Sequence, residues 1–242
     1  GEVQPILPDG RPELVIHFGD PFARVSASGH AVRQPRVLLA GQLTGQLLLK
    51  PGGSVAVLGV RFHPFGAAAF LAAPQHHLAG RTIAVDDVSG PLAGALRDVR
   101  AQTGDARAAV PVVQAALLGH LRPERADARV RHAAGVIARR AGDVSIDDLA
   151  AMVNLTRRHL ERRFLDAVGI GPKRLARITR FQRALRALES FDGPGGGAQT
   201  AAACGYSDQS HFIREFRQLA GCSPSEHLVR QGELTGFFVT GR

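Results

Sequence analysis

Ala201-Ala202-Ala203-Cys204-Gly205-Tyr206-Ser207-Asp208-Gln209-Ser210-His211-Phe212-Ile213-Arg214-Glu215-Phe216, closed by Gly221-Cys222-Ser223-Pro224, is the stretch from which the chain is best read. Locally it is a short Ala-rich helix, a Gly205-Tyr206 turn, a Ser207 cap and a second helix stopped by Gly221. The same grammar occurs earlier. Sliding the sequence by 52 residues lays Leu149–Pro172 on Ala201–Pro224 with seven identities: Ala150/Ala202, Ala151/Ala203, His159/His211, Arg162/Arg214, Phe164/Phe216, Gly169/Gly221 and Pro172/Pro224. Leu160/Phe212 adds a conservative pair, and the first copy turns at Val153-Asn154-Leu155 with Thr156 as its cap. Helix, tight turn and helix make a helix-turn-helix unit, here duplicated.

Spacing assigns the faces of the second helix in each copy. Leu160, Phe164 and Val168 recur every four residues and point to a core, which turns Arg158 and Arg162 outward. In the other copy Phe212, Phe216 and Leu219 point inward, leaving Ser210, Arg214 and Arg217 outside, with Gln209 at the helix start where a major-groove reader approaches base edges. Between the copies, Leu175, Ile178, Phe181, Leu185 and Leu188 form a helical stripe over Pro172–Glu189. At 1.5 Å per residue this helix spans roughly 27 Å, close to the roughly 34 Å between successive major-groove faces.

Charge points the same way. The 242 residues carry a formal net charge of +9, and the excess is concentrated in the second half. Residues 156–186 hold ten basic side chains (Arg157, Arg158, Arg162, Arg163, Lys173, Arg174, Arg177, Arg180, Arg183 and Arg186) against Glu161 and Asp166. Such a cluster alone is equally well a solvated basic face; joined to the repeat, it reads as a surface for a polyanion.

With these residues in view, the stretch from about Val144 to Leu228 resembles the DNA-binding domain of the AraC/XylS transcription regulators. The resemblance covers about a third of the chain and is carried mainly by the second copy. It implies base contacts at Arg158, Glu161 and Arg162 in the first unit and Gln209, Ser210 and Arg214 in the second; Arg157 and Arg217 are the further residues expected to bind DNA. The sequence departs from the family at Gly193-Pro194-Gly195-Gly196-Gly197, where a tighter lead into the second unit is usual; the expectation here is a flexible connector rather than a phosphate cradle, because no Gly-Lys-Ser/Thr follows.

The first half reads differently. Leu14-Val15-Ile16-His17-Phe18, Val37-Leu38-Leu39, Gln46-Leu47-Leu48-Leu49 and Val55–Val60 are short strand-like runs between Gly and Pro. Pro64–Ala72, Pro91–Gln102, Asp105–Leu121 and Pro123–Ala141 then show helical spacing. Through LVIHFGDP at Leu14–Pro21 and Gly59-Val60-Arg61-Phe62-His63-Pro64, this half is similar to a sensor-like domain of some actinobacterial AraC-type regulators.

The fold expected is α+β. A small β-rich domain with flanking helices occupies 1–122, and an all-α domain occupies 123–242 with helix-turn-helix units at about 144–170 and 198–221. The expected function is an effector-responsive transcription activator with double-stranded promoter DNA and RNA polymerase as partners, a small-molecule effector in the first domain, and self-association into a homodimer. A ligand-independent architectural or repressing DNA binder is the alternative, and a DNA-modifying enzyme a remote third. For the last, a nucleophilic or zinc-bound cysteine is missing from the first half, since the two cysteines are Cys204 and Cys222. Their number and spacing suit a reducing cytoplasm, with no disulfide framework. His17, His30, His63, His76 and His77 lack metal-ligand spacing, and Asp86-Asp87 and Asp147-Asp148 are adjacent pairs rather than a constellation, so neither metal, cofactor nor catalytic residue is expected. His159 and His211 read as packing, capping or phosphate-contacting residues, and Cys204 as a packed one.

Overall fold

In the computed structural model, residues 2–71, 73–87, 90–190 and 196–234 are described. The first half is built on eight short strands: β1 (Gln4–Ile6), β2 (Glu13–His17), β3 (Ala23–Val25), β4 (Ala31–Arg33), β5 (Val37–Ala40), β6 (Leu47–Lys50), β7 (Val57–Arg61) and β8 (Thr82–Ala84). They form two four-stranded sheets, ordered β1-β6-β3-β4 and β7-β2-β5-β8, with every pairing antiparallel. The four expected runs are β2, β5, β6 and β7. The others have three residues each, too short for alternation to show, and β4 is exposed throughout.

Register explains which face is buried. Leu14 lies opposite both Leu39 and Val60, and Leu14 and Ile16, two residues apart, are both sealed from solvent. Against them pack helices α1 (Pro91–Arg97), α2 (Val99–Thr103) and α3 (Ala106–His120) through Leu92, Leu96, Val99, Ala109 and Val113. The continuous helix expected over Pro91–Gln102 is broken at Asp98, whose amide bonds to the Leu96 carbonyl. Over Pro64–Ala72 the structure has only a 3-10 turn, Gly66–Ala69; the alanines favour a helix, but all three are drawn into the core and the turn closes as the Phe70 amide reaches Ala67. Ala72 lies outside the described residues. The expected helix over Pro123–Ala141 is divided as well, into a 3-10 turn at Pro123–Arg125 and α4 (Ala128–Arg139), because the Asp127 carboxylate caps the amides of Arg129 (2.9 Å) and Val130 (3.3 Å).

The second half continues with α5 (Ile146–Met152), α6 (Arg157–Val168), α7 (Pro172–Ser190), α8 (Gly196–Ala203), α9 (Gln209–Ala220) and α10 (Pro224–Leu234). Its core runs from Val130 to Cys222, and the stripe Leu175, Ile178, Phe181, Leu185 and Leu188 along α7 is fully enclosed in it. Of the glycine-rich connector, Gly193-Pro194-Gly195 lies outside the described residues, while Gly196 and Gly197 belong to the first turn of α8. That part of the connector reading is therefore corrected.

The two halves touch over a broad seam. Leu7, Phe65 and Ala79 pack against the second core. Gln182 on α7 donates from Nε2 to the Pro8 carbonyl (2.7 Å), and Arg174 donates from Nη2 to the Thr44 carbonyl (2.9 Å). No helix among the described residues is long and apolar enough to cross a membrane.

Candidate nucleic-acid interface

The 52-residue shift found in sequence reappears residue for residue in space. Helix α6 spans Arg157–Val168 and α9 spans Gln209–Ala220; the helices that follow begin at Pro172 and Pro224. Both end in a left-handed glycine, Gly169 at φ 91° and Gly221 at φ 72°, a conformation that costs a side chain with Cβ.

Each second helix is anchored by its own cap. Thr156 Oγ1 accepts from the His159 amide (3.3 Å). In the second copy the cap is Asp208 and not Ser207: the His211 amide donates to Asp208 Oδ1 at 2.7 Å, while Ser207 Oγ donates to Asp208 Oδ2 (2.9 Å) and lies 3.1 Å from His211 Nδ1. The physical reason is register, since Asp208 stands at the shift from Thr156, and its carboxylate reaches the first free amides of α9. Bonding to the His211 amide and the Ser207 hydroxyl holds the Asp208 carboxyl below its ordinary range. Helix α5 is capped in turn by Ser145 Oγ, which accepts from the Asp148 amide (3.3 Å), as the sequence suggests.

Leu160, Phe164, Phe212 and Phe216 are wholly enclosed. Arg158, Arg162, Ser210, Arg214 and Arg217 stand exposed, as does Gln209. Among the described residues no ion pair occupies Arg158, Arg162, Arg214 or Arg217. Arg157 and Glu161 bond to one another on the α6 surface (3.1 Å), and Arg157 also reaches Asp147 (3.4 Å).

The basic cluster is less uniform than its composition suggests. Arg177 and Arg180 face inward and converge on Glu215, whose carboxylate is almost wholly buried on α9: Arg177 Nε donates at 2.8 Å and Arg180 Nη2 at 3.2 Å to both oxygens, with His211 Nε2 at 3.8 Å. The Arg180 guanidinium also lies over the Tyr206 ring, 4.8 Å from its centre. Burial raises the Tyr206 phenol far above its ordinary value. Arg163 bonds to Asp127 at 2.6 Å and Arg174 to the Thr44 carbonyl, so at least four of the ten cations serve internal contacts. Glu215 is the residue sequence reasoning missed. Its signal was present: at the shift it replaces Arg163, a charge reversal within an otherwise repeated pattern.

Between the two units a cleft of about 590 Å³ runs along α7, with Asp147, Arg157, Lys173, Arg177, His211 and Arg214 on its walls. Cys204 and Cys222 are both buried, and desolvation raises both thiols, which disfavours the reactive thiolate. Among the described residues no three His, Cys, Asp or Glu side chains gather as a metal site.

Residues 149–230 match a helix-turn-helix domain family. Residues 1–84, next to it, match a domain of unknown function, DUF6597. Among solved structures, a transcriptional regulator with an AraC-type DNA-binding domain from Chromobacterium violaceum is 26% identical, covering 43% of this chain and 93% of its own, with a TM-score of 0.39. A probable AraC family regulator from Rhodopseudomonas palustris is 28% identical, covering 43% and 97%, also at 0.39. A substituted form of apo ToxT from Vibrio cholerae is 11% identical over 94% of this chain and 93% of its own, at 0.47. No curated protein matches the chain. Within the matched helix-turn-helix region, then, α6 and α9 are the second helices of the two units, and α7 is the rod that joins them.

Proposed function

We propose that the chain is a sequence-specific DNA-binding transcription regulator that lays α6 and α9 into successive major grooves on one side of the duplex. The observation that carries this reading is the pair of capped, glycine-terminated helices 52 residues apart, each turning unpaired arginines outward from a shared core. Arg158, Arg162, Gln209 and Arg214 discriminate bases through hydrogen bonds; Ser210 and Arg217 support α9 at its groove. Arg157 and Glu161, which bond to each other, border the α6 contact. Phosphate attraction comes from the remaining exposed cations and makes binding strongly salt-dependent.

In the same proposal the chain divides into an effector-sensing or self-associating domain over 1–122 and the DNA-binding domain over 123–242, and it acts in the cytoplasm without catalysing a reaction. Activation through RNA polymerase is the outcome proposed. Two separate apolar clusters support the division, one reaching Val113 and the other beginning at Val130. Competition binding against scrambled duplex tests the reading: a cognate upstream duplex binds about a thousandfold or more tighter than scrambled DNA at physiological salt, the lower end of the specificity usual for such proteins. Equal affinity for both overturns it.

A further inference from the structure

A cavity of about 150 Å³ opens in the first half where β5, α1 and the chain leaving α3 meet. Its floor is apolar and buried, formed by Leu39, Leu71, Val85, Leu92, Ala93 and Leu96. Its mouth carries His120, Arg122 and Arg125, and no carboxylate lines it. These groups are held in place. His120 Nδ1 is 2.8 Å from the Ala116 carbonyl, and the Arg122 amide donates to the Ala69 carbonyl (2.9 Å). Among the described residues the Arg122 guanidinium finds only carbonyl partners, Leu121 at 3.0 Å and Gly119 at 3.5 Å, and no acid pairs with it there.

Volume and lining together specify a ligand. An apolar cavity of this size takes a body about as large as benzene. Arginines at the mouth that make no ion pair among the described residues favour a planar anion able to accept two hydrogen bonds. We propose that this cavity binds a small monocarboxylate with a compact apolar body, aromatic or short aliphatic, the body on the Leu92 and Leu96 floor and the carboxylate against Arg122 and Arg125. The assignment deepens the regulator reading and rests on it for its biological meaning.

The position of the mouth connects it to the first DNA reader. Arg125 stands two residues before Asp127, whose carboxylate caps α4 and accepts the 2.6 Å bond from Arg163 on α6. A second hollow behind Arg125 is walled by Asp127, Arg163 and Asp166. A carboxylate drawing Arg125 toward the cavity therefore acts on the segment that holds α6.

The test titrates benzoate, hexanoate and the uncharged benzamide into the full chain by calorimetry. Benzoate or hexanoate binds once per chain and benzamide at least tenfold more weakly. Arg122→Gln with Arg125→Gln, both at the surface, weakens carboxylate binding about tenfold or more, and Ala93→Phe, which fills the floor, abolishes it. Failure of both carboxylates to bind the native chain, or binding unchanged by the arginine pair, overturns the proposal. Upstream-duplex binding is read in the same samples. Selective DNA binding without carboxylate binding removes the cavity assignment and keeps the regulator; carboxylate binding without selective DNA binding keeps the cavity and removes the regulator.

Discussion

Glu215 carries a negative charge into the core of the second unit and is met there by Arg177 and Arg180 from α7. Removing one partner of such a group strands the others without compensation. Glu215→Ala is expected to cost about 3 kcal/mol in urea denaturation, toward the low end of the range for buried pairs because Arg177 still reaches water. Glu215→Gln costs less, since its carbonyl still accepts one of the bonds. Tyr206, the only tyrosine in a chain without tryptophan, packs 5.1 Å from Phe212 and reports the loss by its fluorescence. Arg214 predicts the opposite pattern: exposed and unpaired, its replacement by Ala leaves the urea midpoint in place and removes about 1–3 kcal/mol of discrimination between cognate and altered duplex. A stability loss in R214A equal to that of Glu215→Ala would contradict this division of labour. Outward and inward positions were legible because a helix of period 3.6 with large apolar residues leaves little freedom. The inward turn of Arg177 and Arg180 was not, because an arginine's long stem allows either fate and the deciding acid lies 35 to 38 residues away.

For the elements, the caps stabilise the first turns of α6 and α9. Thr156→Ala is expected to cost about 1 kcal/mol, measured by thermal melting. Asp208 adds a dependence on pH. Its carboxyl is depressed below the ordinary 3.8 by bonds made in the fold, so the ionised form is the one the fold favours. The contribution is complete above pH 3.8 and is lost as pH falls through the lower folded value. Acid melts followed by Tyr206 fluorescence should therefore fall more steeply below pH 4 in the native chain than in Asp208→Ala; parallel curves would remove Asp208 from this role. The element boundaries show where sequence reasoning reaches. The repeat located α6 and α9 because Phe, His, Gly and Pro recur at one offset, and the same offset, followed strictly, points to Asp208 as the cap. Strands of three residues are set by neighbours from elsewhere in the chain, and no local period announces them, whereas the breaks at Asp98 and Asp127 are local, Asp127 capping the amides of Arg129 and Val130.

At the scale of the molecule, the first half rests on the ends of the reader helices. The turn at Gln75–His77 packs on the end of α6, where His76 Nδ1 is 3.5 Å from Asp166 and a Cβ at Gly169 would come within 2.8 Å of the Gln75 carbonyl. Gly169→Ala thus meets both a strained backbone and the other half of the chain. It is expected to destabilise by more than about 1 kcal/mol and to loosen the seam, seen as faster amide exchange in the Gln75–His77 turn. Unchanged exchange there would mean that the seam does not depend on this contact.

In the proposed function, two readers on one chain recognise one operator. Fluorescence anisotropy with duplexes tiled across the gene's upstream region, against scrambled DNA and over a salt series, tests it most directly when Arg162→Ala and Arg214→Ala are measured beside the native chain. One duplex is expected to be bound selectively, with each substitution eroding the preference while nonspecific affinity changes little. Every duplex bound alike, with the same loss of affinity as salt rises in all three proteins, would contradict it.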